Sequence, residues 1–590
     1  VTALSASVRE LATNPDQWAA LGTEGHCIVL APPGSGKTKL LATRIACDLV
    51  NKIPEPHGAA CVTLTNPAAD ELRDRIAALG VPSRPALFIG TVHSFVLTRV
   101  VIPFAALVGR PELAHVSIAG AADQTRAFQI AMDGARIDRW DRRNVPSTVN
   151  YHRRRFSTAE EWARSGDQIR DVARRYLADL HGRGLIDFDE LIEIGVHMVE
   201  RHQQIRRVLN ARHPHIYIDE YQDLAPGLDR LVKALCFDYI TGSELFAVGD
   251  PDQAILAFTG TRPELLTELA ARPDVNPVHL QRNYRCGQEI IRIAQFVKHG
   301  KAEVIADRAG GAVTERYCPG GFAEQCAATV QRIAEDQQRG IPLHDIAVIC
   351  PANDQCETVT DILRDRGIPA FFRNTSDYRT TAATALVEGC AAWACRGRER
   401  SGYRLGALLR QWRSLHGHGW RRERDADLTA LLLSWGARGT EPARAFLADL
   451  LAAGLDVALR RTARADDALN ITAMTTALTD GRLADLSVED LADRALQTDR
   501  VEVTTMTSSK GLEFDIVILL GLDQGRMPFF KSLTNPEELA EDRRKFYVSL
   551  TRARDEVHIY YSGFVEWSTG TIKQAGPSMF LYEIGLLTDE

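Results

Sequence analysis

Residues 26–38 read HCIVLAPPGSGKT. Cys27, Ile28, Val29 and Leu30 make an apolar run of strand length, and residues 32–36 follow as a tight, glycine-containing loop. From Thr38 onward, TKLLATRIACDLV places Leu40, Leu41, Ile45 and Leu49 at helical spacing. Strand, loop and helix in that order form the phosphate-binding unit of an α/β domain. Gly34 and Gly36 let successive backbone N–H groups curl around an anion, and the helix N-terminus adds its dipole. Pro33 and Ser35 complete the loop; Lys37 can reach the outer phosphates, and the Thr38 hydroxyl can bind Mg²⁺. Ala31 stands where GxxxxGK[ST] begins with glycine, a small-for-small departure.

A second stretch, HIYIDEYQD at 215–223, answers the first. Ile216, Tyr217 and Ile218 have the pattern of a strand covered on both faces, yet it ends in Asp219 and Glu220. A lone acidic pair would be an ordinary strand end reaching water. Beside a phosphate loop, Asp219 is expected to hold Mg²⁺, and Glu220 to face the attacking water as general base. Such a division of metal and proton between neighbours favours hydrolysis over simple nucleotide binding.

With 590 residues and 45% hydrophobic content, the length prior is about four domains. No run of ~18 apolar residues is present to span a membrane, and the N-terminal sequence lacks the pattern of a secretory signal. The 11 cysteines are scattered without a CxxC pair or Cys/His cluster, which argues against zinc or iron–sulfur sites and fits a reduced cytoplasm. A net charge of −7 excludes a uniformly basic nucleic-acid binder but not a local basic groove. Residues 136–155, arginine-rich with Trp140 and Tyr151, suit phosphates and bases; a solvated helical face has the same composition.

Kinases, GTPases and motors share the loop, so later motifs must choose among them. DEYQD at 219–223, GDPDQAI at 249–255, LQRNYR at 280–285, SSKGLEF at 508–514 and YVSLTRAR at 547–554 resemble the UvrD/Rep family of superfamily 1 DNA helicases. NPDQ at 14–17, TLTNPAADEL at 63–72 and GTVHSF at 90–95 match its earlier motifs. The resemblance implies two tandem RecA-like cores with parallel sheets, each interrupted by a mainly helical insertion. The first core would take residues 1–95 and 185–278, with its insertion at 96–184 as a DNA-contact candidate. The second would take 279–375 and 499–590, with an insertion at 376–498. ATP with Mg²⁺ is then the expected cofactor pair. Gln17 would read the adenine edge, Tyr284 stack on its ring and Glu513 accept from the ribose. Gln253, Arg285 and Arg552 would approach the γ-phosphate. Thr65, Asn66, His93, Phe95 and Phe258 would face the DNA, although His93 or Phe95 could equally be core.

The DNA side departs from the family pattern. Leu64 and Leu256 replace rings, Pro67 a lysine, Thr259 an arginine and Thr507 a common histidine. Each lost stacking partner removes ~1–3 kcal/mol of grip per base. The second insertion reads as shortened, without a recognisable duplex-contacting element, and no long tail follows PSMFLYEI. Two functions follow as expectations. One is an ATP-dependent 3′–5′ translocase and helicase on single-stranded DNA and single-strand/duplex junctions. The other is an ATP-switched regulatory subunit of a nuclease complex in DNA repair or anti-phage defence.

Overall fold

The computed structural model describes the chain except residues 1, 83, 139–141, 239–241, 299–302, 373–377, 379, 461–464, 482, 496–498, 567–570 and 589–590. Two six-stranded sheets carry the α/β fold. The first contains β1 (His26–Leu30), β2 (Ala59–Thr63), β3 (Phe88–Thr91), β4 (His215–Ile218), β5 (Glu244–Gly249) and β6 (Val275–His279), in the order β3-β2-β4-β5-β1-β6. Every pairing in it is parallel. All five residues of β2 are buried, as both-face coverage by helices requires. Pro277, which cannot donate to a ladder, sits in the edge strand β6.

Past β6 the chain crosses over. Strands β7 (Arg282–Gly287) and β8 (Ile305–Arg308) pair with each other. The second sheet then takes β9 (Ala312–Tyr317), β10 (Ile346–Cys350), β11 (Ala370–Phe372), β12 (Val501–Thr505), β13 (Phe514–Leu519) and β14 (Ala553–Tyr561), in the order β9-β14-β13-β10-β12-β11. It too is parallel throughout.

Helical segments interrupt both sheets. Between β3 and β4, helices Ala121–Gly134, Val145–Arg155 and Asp167–Gly182 close over Phe128, Val149, Tyr176 and Leu180. Between β11 and β12, a larger bundle buries Trp412, Trp435 and Phe446. Leu185 and Ile186 pair with Ser117 and Ile118 in a two-stranded ribbon beside the large sheet, and Ile186 is buried in the first sheet's core. Among the described residues no helix is long and apolar enough to cross a membrane. The cysteines are free thiols, and all but Cys47 and Cys395 are buried.

The phosphate loop leaves the carboxyl end of β1 and the acidic pair leaves that of β4, with β5 lying between them. Crevices at this edge of an open parallel sheet are where such folds bind ligands.

Candidate active site between the two sheets

The loop is held by its carbonyls, from within and from outside. Lys37 Nζ donates to Ala31 O at 3.2 Å, the Ser35 hydroxyl to Pro32 O at 2.7 Å, and Gln17 Nε2 to Ser35 O at 2.9 Å. From β7, Asn283 Nδ2 donates to Pro33 O at 2.6 Å and the Tyr284 N–H to Gly34 O at 2.8 Å. Five consecutive carbonyls are thus satisfied by donors, which keeps their lone pairs from an incoming anion. Gly34 and Gly36 adopt φ of +68° and +80°, a conformation suited to glycine. Crowding adds to the requirement: a Cβ on Gly34 would lie 2.7 Å from Arg285 Cβ, and one on Gly36 3.0 Å from Gln17 Nε2.

Asp219 is buried and accepts the Glu220 N–H at 3.0 Å, while Gln222 donates to the Glu220 carboxylate. Burial, and then Glu220, push the Asp219 carboxyl up to about 7. Burial opposes ionisation of Glu220 as well, but Lys37, Lys510, Gln222 and Arg552 together hold it down at about 2. Lys37 works against the rise at Asp219. Asp219 and Thr38 line the same cavity, and their hard oxygens suit Mg²⁺. Among the described residues no group of three or more His, Cys, Asp or Glu side chains could hold a metal by itself, so the ion would need phosphate and water oxygens too. Glu220 has φ +53° and ψ +48°, a left-handed conformation that costs a non-glycine residue about 1–3 kcal/mol.

A cavity of about 1320 Å³ separates the sheets and gathers most of the expected residues. Lys37, Thr38, Asp219, Glu220 and Gln253 line one wall; Tyr284, Arg285, Glu513 and Arg552 line the other. Gln17 lies behind the loop, and Asn14 from the same turn donates to the Tyr284 hydroxyl at 2.7 Å. Gln253 donates to Asp250 Oδ2 at 2.8 Å. Arg285 Nε donates to Glu513 Oε2 at 2.8 Å, and Arg554 Nη2 to Glu513 Oε1 at 2.7 Å. The expected sugar acceptor is thus engaged by two guanidiniums. Arg552 is fully buried; it donates to Val548 O and Leu512 O, and its Nη2 has no hydrogen-bond partner among the described residues. Burial, and then Arg285, pull its pKa down to about 9.

Other contacts were not evident from the residues alone. Lys510, which taken singly reads as an ordinary surface lysine, donates across the cleft to Asp223 and, at 2.8 Å, to Gln253 O. Arg544 donates to Ala254 O at 2.6 Å. Asn283, fully buried, accepts the N–H groups of Arg285 and Cys286 as well as reaching Pro33. Removing the Lys510 ammonium would leave Asp223, which is 5% exposed, without its cation, and stranding one member of such a pair is costly. Lys510→Ala is expected to lower ATP turnover roughly tenfold or more, with a smaller change in ADP affinity; unchanged turnover would remove Lys510 from the coupling between the sheets.

The strand-facing residues fare unevenly. Thr65 caps the helix Asn66–Ala78 by accepting from Ala68 N at 3.3 Å, and it lines the nucleotide cavity. The side chains of Asn66 and Phe258, and all of Trp140, lie outside the described residues. His93 is partly exposed, its ring edge-on to Phe188. Phe95 is 3% exposed and packs edge-on against Phe88, within the first core. Such a pair adds about 1 kcal/mol to the gain from burial. The arginine-rich stretch is partly neutralised internally: Arg153 pairs with Asp187, Arg154 with Asp189 and Arg142 with Asp133. Arg155 lies over the Tyr151 ring.

Comparison with known families agrees with this geometry. Residues 13–274 match the UvrD/REP helicase N-terminal domain, and residues 461–563 the UvrD-like helicase C-terminal domain. The ATP-dependent DNA helicase UvrD2 of Mycobacterium tuberculosis is 27% identical across 95% of this chain and 80% of its own. PcrA of Bacillus subtilis, also named an ATP-dependent DNA helicase, is 24% identical across 92% and 82%. For the ATP-dependent DNA helicase Rep of Escherichia coli, the figures are 24%, 97% and 94%.

Proposed function

The chain belongs to the UvrD/Rep-like superfamily 1 helicases, and from that premise we propose that it couples ATP hydrolysis to 3′–5′ movement along single-stranded DNA. It is an ATP-hydrolysing DNA helicase. The observation that carries the coupling is the shared cavity, whose catalytic groups come from both sheets.

The loop N–H groups and Lys37 bind the phosphates, Tyr284 and Gln17 the base, and Glu513 the sugar. Glu220, kept ionised by Lys37 and Lys510, orients the attacking water and takes its proton as the terminal P–O bond breaks. In a loose transition state that proton moves late, so a weakly basic carboxylate suffices. Asp219 and Thr38 would hold Mg²⁺, which supplies charge neutralisation for the leaving diphosphate. Arg285 exchanges Glu513 for the γ-phosphate, and Arg552 joins it. Drawing two cations of one sheet onto an anion held by the other closes the cleft; losing the γ-phosphate reopens it. Gln253, whose carbonyl meets Lys510, transmits the change toward the strand.

Single-stranded DNA and its junctions with duplex are the proposed partners, along a path past Phe258, Tyr151 and Arg155. Gly260, just beyond Phe258, abuts the helix bearing those two residues: a Cβ there would lie 3.4 Å from Arg155 Cγ. The free thiols support a cytoplasmic setting. One observation favours the regulatory-subunit reading with a nuclease partner: Leu64, at a position where the family carries a ring, packs against the first core. Steady-state ATPase assays with and without single-stranded DNA, with Lys37→Ala as blank, separate the two. Strong stimulation of the isolated chain supports the translocase. Turnover indifferent to DNA, or awakened only by another protein, supports the subunit.

A further inference from the structure

We propose that Asn283 is a positioning residue that sets the phosphate loop and the Arg285 finger with one side chain. This rests on the ATPase reading above. Three observations converge on it. Asn283 is wholly buried, so its amide has no water to fall back on. Its Nδ2 donates to Pro33 O at 2.6 Å, and its Oδ1 accepts from Arg285 N at 2.8 Å and Cys286 N at 2.7 Å. The neighbouring Tyr284 N–H donates to Gly34 O, so β7 meets the loop by backbone as well as side chain.

The two ends of the amide serve different chemistry. The NH₂ end turns a loop carbonyl away from the cavity, which favours anything carrying the inner phosphates, ADP included. The carbonyl end fixes the backbone from which Arg285 springs, and Arg285, which rests on Glu513 here, would turn to the γ-phosphate that ADP lacks. The loop and the finger approach so closely that a Cβ on Gly34 would lie 2.9 Å from Asn283 Nδ2 and 2.7 Å from Arg285 Cβ. A shift of the strand at Asn283 would therefore be felt in both. Asparagine supplies donor and acceptor together; alanine supplies neither, and serine is too short to span both.

The test is a double-mutant cycle with two readouts. ADP affinity, measured by calorimetry, reports the loop end, because ADP has no γ-phosphate for Arg285. Single-turnover ATP hydrolysis reports the finger end. Asn283→Ala is expected to weaken ADP binding roughly tenfold and to slow hydrolysis by a similar factor. In an Arg285→Ala background it should weaken ADP binding as before yet slow hydrolysis no further. Equal slowing in both backgrounds would mean general damage to the site and overturn the proposal, as would unaltered ADP affinity. Asn283→Ser serves if the alanine variant does not fold, with the same pattern expected. Should the wild-type chain itself fail to hydrolyse ATP, the ATPase reading falls; the ADP arm then still decides whether Asn283 shapes the loop.

Discussion

Glu220→Gln is expected to bind ATP normally and scarcely turn it over. The amide keeps the size of the side chain, but it cannot take a proton from water. General bases contribute about 10²–10⁴ in rate, and a loss of kcat in that range is expected. ATP affinity should be equal or tighter, because the substitution removes a negative charge beside the phosphates and beside Asp219. Rapid-quench hydrolysis paired with equilibrium ATP binding measures both. Normal turnover would put the base elsewhere, and a collapse of binding would mean that Glu220 shapes the pocket rather than the chemistry.

The second large effect concerns Arg552. Its guanidinium is buried beside Arg285, with one nitrogen lacking a partner among the described residues and a pKa drawn down to about 9. Holding a charge there works against folding unless an anion arrives to compensate it. The γ-phosphate is such an anion, and arginines placed in this way supply about 10³–10⁵ in rate in related phosphoryl transfers. Arg552→Ala should lose kcat on that scale while ADP affinity stays near wild type. Arg552→Lys, which keeps charge but not the planar fork, should recover only a small part. If ADP affinity fell with kcat, Arg552 would be a structural strut instead.

What the sequence disclosed followed the range of the interactions involved. The phosphate loop was legible because its function depends on local geometry: two glycines, a lysine and a helix start within a few residues. The acidic pair was legible because buried carboxylates need a cause. Arg285, Glu513 and Arg552 could be named by resemblance, but nothing local indicated that Arg285 would rest on Glu513, since that contact depends on how β7 approaches β13. Phe95 stayed open between strand contact and core because a phenylalanine in a four-residue helix carries no period by which to tell the two apart. Asn283 and Lys510 escaped because asparagine and lysine usually sit at turns and surfaces, and only the folded chain shows them buried or bridging.

The left-handed backbone of Glu220 has a consequence for how this protein can change over time. Glycine relaxes most readily into that conformation, with asparagine next, so either substitution would relieve strain at the residue on which turnover depends. A library screened for heat tolerance alone would accumulate them, and one screened for growth dependent on the enzyme would purge them. Position 220 is therefore a place where robustness and activity select in opposite directions. Stabilised descendants should be sequenced there before their folding is credited to anything else.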